Sequence, residues 1–207
     1  MKKLAALLLI VLAPLTAAEK GFTSLVNGKD LTGWKVNENV DTFSVKNGAI
    51  VAHGPRSHCF YVGKFRAHTF KDFELKVDVM TEPGSNGGIY ILTGYQEQSW
   101  PEKGFEVQVN NTFLKDPRKT GSLYQVQDNN AEVAKDNKWF TEHIVVKGNT
   151  ITVNVDGKQV SQWTQPADWA GSKGFPLRKL APGTIALQGH DPLSTVHYKN
   201  IRIKPLD

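Results

Sequence analysis

The sequence predicts an all-β chain, folded as an antiparallel β-sandwich or jelly roll. Two observations carry this. Short runs with period-two apolar alternation are separated by glycine- and asparagine-bearing turns at roughly 8–12-residue intervals. Beyond the N-terminal segment, no stretch longer than about ten residues carries a helical apolar stripe.

The elements follow in chain order. Phe43-Ser44-Val45, Asn47-Gly48 and Ile50-Val51 read as a hairpin, because Asn-Gly tolerates the positive φ of a type I′ turn. Phe73, Leu75, Val77 and Val79 alternate with Glu74, Lys76 and Asp78, a strand with one buried face. Phe105, Val107 and Val109 form the apolar side of another, with Glu106, Gln108 and Asn110 opposite. A second hairpin runs from His143 to Lys147, turns at Gly148-Asn149 and returns through Ile151, Val153 and Val155. Asp156-Gly157 then turns the chain toward Gln159-Val160. Thr184–Gln188 and Val196–Ile203 are the last strands. Trp34 and Trp139 read as core or corner packing. His53, His58 and His68 fall in a loop-rich stretch without metal-ligand spacing and read as structural or surface histidines. Two long loops, Thr93–Lys103 and Gln162–Pro182, are rich in Trp, Pro and Gly, and long ordered loops tend to carry function.

The N-terminus reads as an export signal. Lys2 and Lys3 precede an apolar run from Leu4 to Leu15, and Thr16-Ala17-Ala18 supplies small residues for cleavage after Ala18, with Ala17 as the alternative. The run is shorter than the roughly 20 residues of a membrane span, and nothing later is longer. Residues 19–207 are then expected to form one sandwich domain in the periplasm or outside the cell. Cys59 is the only cysteine, so no disulfide forms within the chain. The 25 Lys and Arg against 20 Asp and Glu fall to 23 against 20 without Lys2 and Lys3. They are dispersed, which excludes a clustered nucleic-acid footprint.

The strands Phe105–Val109 and Thr184–Gln188 differ from the solvated Phe73–Val79 strand. Their polar side carries Glu106, Gln108 and Gln188, followed by His190, without lysine. Amides, a carboxylate and an imidazole suit a concave face that hydrogen-bonds a polyhydroxylated ligand. Tyr90, Trp100 and Tyr124 offer apolar ring faces for a pyranose. The sequence lacks a phosphate loop, a Gly-x-Ser-x-Gly elbow and a His-Glu-x-x-His pair. A two-carboxylate glycosidase is disfavoured, because Gln108 rather than an acid follows Glu106 on its face; Glu97 and Glu102 are the nearby acids in sequence.

Several motifs in order resemble one family over nearly all of residues 19–207. They are Gly21-Phe22 with Leu25-Val26-Asn27-Gly28 and Gly33-Trp34, Lys71-Asp72-Phe73-Glu74-Leu75, Asn86-Gly87-Gly88-Ile89-Tyr90, Gly104-Phe105-Glu106-Val107-Gln108, Thr120-Gly121-Ser122-Leu123-Tyr124, Gly183 to His190, and Lys199-Asn200-Ile201-Arg202-Ile203. The chain resembles the 3-keto-disaccharide hydrolase domain family, formerly a domain of unknown function. The resemblance implies a concanavalin A-like sandwich of the lectin/glucanase type acting on sugars oxidised at C3. It places Glu106, Gln108, Tyr124, Gln188 and His190 at the site, and its Asn86–Tyr90 motif adds Asn86 and Tyr90. Gly87 stands where the family has serine, Leu92 where it has arginine, and Gly189 where it has the aspartate before histidine, with Asp191 following instead.

A C3 ketone acidifies the C2 hydrogen, so one base can start an elimination across C1–C2 and water addition completes net hydrolysis. His190 or Glu106 is the expected base, the other orienting it, with Gln108 and Gln188 bonding hydroxyls. A divalent cation on the ketone is an option, with Glu106, His190 and Asp191 as ligands. The implied partner is an oxidoreductase that makes the keto sugar. A non-catalytic, lectin-like carbohydrate-binding module is the alternative.

Overall fold

The structure, a computed structural model, describes residues 19–172 and 174–207; the segment on which the export signal is read lies outside the described residues. The strands are β1 (Thr23–Ser24), β2 (Trp34–Val36), β3 (Phe43–Lys46), β4 (Ala49–Ala52), β5 (Ser57–Tyr61), β6 (Phe73–Thr81), β7 (Gly87–Thr93), β8 (Phe105–Val109), β9 (Phe140–Lys147), β10 (Thr150–Val155), β11 (Lys158–Thr164), β12 (Thr184–Gly189) and β13 (Val196–Pro205). They build two antiparallel sheets. One has the order β11-β10-β9-β6-β13-β4-β3, with β1 also on β13; the other has β2-β5-β12-β7-β8. This is the predicted all-β sandwich.

The turns have the expected chemistry. Asn47-Gly48 and Asp156-Gly157 both carry positive φ at both residues, as a type I′ turn requires. β6 alternates strictly between buried and half-buried positions. Its Phe73, Leu75, Val77 and Val79 meet Ile89, Ile91, Phe105 and Val107 in the core between the sheets. Trp34 belongs to that core, edge-on to Tyr61 at 5.4 Å, and its indole N–H donates to the Leu25 carbonyl. Trp139 does not: it is 40% exposed, with the Lys199 ammonium over its ring.

Two boundaries correct the sequence reading. β11 continues to Thr164, so the long loop after it starts later than Gln162. His58 lies within β5, not in a loop. All five residues of β5 are buried, and the same holds for β7, β8 and β12. The second sheet is thus covered on both faces: by the core on one, and by loops on the other. That second covered face carries the polar residues singled out above.

Candidate active site

β5, β12, β7 and β8 lie side by side, so their outward residues form a row. His58 on β5 pairs with Gln188 on β12, and Tyr90 and Gly88 on β7 pair with Glu106 and Gln108 on β8. Gly88 leaves the gap that joins the row. The Gln188 amide donates to Glu106 Oε1 at 2.6 Å across β7, and a Cβ on Gly88 would stand 2.7 Å from that same oxygen. The Tyr90 hydroxyl donates to Glu106 Oε2 at 2.9 Å, and the Gln108 amide donates to Asn86 Oδ1 at 2.9 Å. Two buried amide oxygens, Oε1 of Gln108 and of Gln188, have no partner among the described residues. Buried acceptors of this kind are costly unless a ligand or water satisfies them.

Above this floor is a cavity of about 140 Å³. Glu106, Gln108, Gln188, Asn86, Tyr90 and Tyr124 line it from the sheet side, and His190 and Trp100 also face it. All eight residues proposed from the sequence as catalytic or substrate-binding therefore meet in one place. Burial pushes the Glu106 carboxyl up, against the hydrogen bonds and nearby positive charge that pull it down.

His190 is held by its neighbour, not by Glu106. Its Nδ1 bonds Asp191 Oδ2 at 2.7 Å; Ser194 Oγ donates to the same oxygen, and the Leu193 N–H donates to Oδ1. Burial raises the Asp191 pKa, but the bonds from His190, Ser194 and Leu193 outweigh it and hold the group below the usual carboxylate value. An ionised Asp191 makes Nδ1 the protonated nitrogen and leaves Nε2 as a base. Trp100 and Phe113 flank the imidazole, each with ring centroids 5.5 Å away. The possible metal set Glu106, His190 and Asp191 is not assembled: among the described residues no three His, Cys, Asp or Glu side chains form a metal-binding group.

Sequence reasoning missed Arg178. It is buried, 2% exposed, in the loop after β11, and lines the cavity. One guanidinium nitrogen donates to the Tyr124 carbonyl at 2.8 Å, and the group lies 3.8 Å over the Phe175 ring. No spacing rule points to it; the available sign was an arginine in a loop of Trp, Pro and Gly. The loop is anchored by Trp169, whose N–H donates to the Arg178 carbonyl and whose ring packs on Trp163 at 5.0 Å. Asp116 was missed too; the residue lines the cavity, and its carboxylate contacts Arg118 at 3.3 Å. Glu97 instead accepts from Tyr95.

The three family departures leave the floor intact. A Cβ on Gly87 would meet the Tyr198 hydroxyl at 2.8 Å, and one on Gly189 would meet Thr42 at 2.4 Å. Leu92 turns into the hydrophobic core, away from the cavity.

His58 stands beside this floor, edge-on to Tyr90 at 5.3 Å and Trp100 at 5.5 Å, and neither ring nitrogen has a partner among the described residues. Burial is the main reason its pKa falls from 6.5 to about 3; Glu38 opposes the shift, and Arg56 and His190 add to it. The unfolded chain therefore takes up a proton as pH drops from 6.5 toward 3 while folded His58 does not, so stability is lost across that window. His58→Phe is expected to shrink this acid loss, with little change at neutral pH. Urea midpoints of both proteins at pH 7 and pH 4.5 check it, and an unchanged difference between the two pH values would refute it.

Comparisons with known proteins agree with this architecture. The family described as the 3-keto-alpha-glucoside-1,2-lyase-like domain matches residues 21–204. A glycosyl hydrolase-like protein of Parabacteroides distasonis superposes with a TM-score of 0.76 at 25% identity, covering 91% of this chain and 95% of that one. The carbohydrate-binding module CBM66 of Bacillus subtilis shares the fold, with a TM-score of 0.60 at 12% identity over 83% of this chain and 95% of its own. No curated protein matches the chain.

Proposed function

The chain belongs to the 3-keto-alpha-glucoside-1,2-lyase-like domain family, and on that premise we propose that it cleaves 3-keto-glycosides by elimination across C1–C2. The observation that carries this reading is the His190–Asp191 pair beside a cavity with a buried amide and carboxyl floor and a buried cation, Arg178. His190 Nε2 takes the C2 proton. The C2–H electron pair becomes the C1=C2 double bond, and the C1–O bond breaks with its pair on the departing oxygen. The proton held on His190 is then available to that oxygen. Arg178 faces the charge that develops on the C3 oxygen, where a fixed, dry cation acts most strongly. Glu106, raised by burial, with Gln108 and Gln188, holds the ring hydroxyls. Water addition to the enone gives net hydrolysis.

The test is incubation with a 3-keto-glucoside in D2O. The expected result is a conjugated-enone absorbance in the ultraviolet together with deuterium exchange at C2. Neither signal, combined with tight binding of unoxidised glycans in calorimetry, would favour a carbohydrate-binding module instead. We place the reaction outside the cytoplasm, downstream of an oxidoreductase that supplies the ketone. N-terminal sequencing of the secreted protein is expected to begin at Glu19.

A further inference from the structure

Beside the sugar-sized cavity lies a second one of about 330 Å³. Trp100 and Phe175 line both, so the two adjoin at these rings. The second groove runs between the Trp100 loop and the Arg178 loop, with Pro176 and Leu177 as further walls. Among the described residues, its polar side chains are Ser99 and Glu102. The first cavity, in contrast, presents Glu106, Gln108, Gln188, Asn86, His190 and Arg178. A second sugar would bring several hydroxyls, each needing a partner once it leaves water. A groove of two aromatic rings, a proline and a leucine that is 46% exposed suits an apolar surface instead. Its size allows this, since a dry cavity of ~150 Å³ already holds benzene.

We propose that this groove is the subsite for an apolar, aryl-type aglycone, so that the preferred substrates are 3-keto-glycosides of phenolic alcohols rather than 3-keto-disaccharides. The assignment rests on the elimination reading and extends it. The chemistry agrees: a phenol ionises near pH 10, as tyrosine does, far below an alkyl alcohol, so its oxygen departs with less help from an acid. The aglycone would lie on Trp100 and Phe175 while C1, C2 and C3 stay over the polar floor.

Two measurements test it, on the native protein and on Leu177→Asp, a change at an exposed position. The first compares kcat/KM for the 3-keto derivatives of phenyl glucoside, methyl glucoside and a glucose disaccharide. The phenyl compound is expected to exceed the disaccharide by about tenfold or more, and Leu177→Asp to lower the phenyl-to-methyl ratio by a similar factor. The second titrates unoxidised phenyl glucoside by tryptophan fluorescence, with Kd expected to rise in Leu177→Asp. Equal turnover of disaccharide and phenyl substrates, or a ratio and Kd unmoved by Leu177→Asp, overturns the groove assignment while leaving the reaction standing. If no 3-keto-glycoside is turned over, the reaction reading fails and the titration alone decides: binding weakened by Leu177→Asp upholds the groove, and absence of binding removes it.

Discussion

His190→Ala is expected to lower kcat for 3-keto-glucoside elimination by about 10²–10⁴, the range that a positioned general base contributes. The argument rests on tautomer and place. Asp191, held ionised by His190, Ser194 and the Leu193 N–H, fixes the proton on Nδ1 and leaves Nε2 unprotonated on a ring that lines the cavity. Removing the imidazole leaves the floor of Glu106, Gln108 and Gln188 and the Arg178 cation in place, so glycoside binding is expected to survive. Deuterium exchange at C2 is the decisive readout, because it reports proton removal even where C1–O cleavage is slow. Loss of exchange with binding retained identifies the base. Full turnover by His190→Ala would put the base elsewhere, with Glu106 next to be tested as Glu106→Gln. Asp191→Asn is expected to act in the same direction through the imidazole, since an amide no longer selects the tautomer that leaves Nε2 free.

How much of this was legible in the residues depended on which faces were solvated. β6 alternates because one of its faces meets the core and the other meets half-exposed surface, and it was read from Phe73 to Val79, two residues short of its end at Thr81. β5, Ser57–Tyr61, has no such contrast: its Cys59 enters the core while His58 and Phe60 are buried under loops, so neither period nor polarity marks it. The floor residues Glu106, Gln108 and Gln188 were found because alternation and motif agree there. Arg178 and Asp116 come from loops, where position is set by tertiary anchors such as Trp169 rather than by a local period. The partner of His190 was misassigned for a related reason. Strand alternation suggested Glu106, whereas the actual contact is between neighbours in sequence, at a turn beyond β12.

Leu92 is the other place where local pattern and structure part, and it leads to a large expected stability effect. Alternation along β7 would set Leu92 on the same side as Gly88 and Tyr90, facing the site. Instead Thr184 pairs with Thr93 and Ala186 with Tyr90, so Ile91 and Leu92 together oppose Ile185 in a β-bulge. Leu92 takes φ 56°, unusual for a branched side chain, and packs into the core. Two glycines make room for this: a Cβ on Gly183 would stand 2.4 Å from the Leu92 carbonyl carbon, and one on Gly104 would stand 2.1 Å from the Ile91 oxygen. Gly104 also has φ +74°, which an L side chain adopts only with strain. Gly104→Ala is therefore expected to cost about 3 kcal/mol or more, combining backbone strain with overlap against main chain that cannot rotate away. Gly148→Ala is the control. Its φ is +59° with nothing within 4 Å of a Cβ, so it carries strain without overlap and is expected to cost only about 1 kcal/mol. Urea denaturation of both variants measures the difference. Because Gly104 immediately precedes β8, the shift it forces would also move Glu106, and kcat should fall in Gly104→Ala but not in Gly148→Ala. Equal stability of the two variants would mean that β7 yields at the bulge, and that its geometry does not depend on the space these glycines leave.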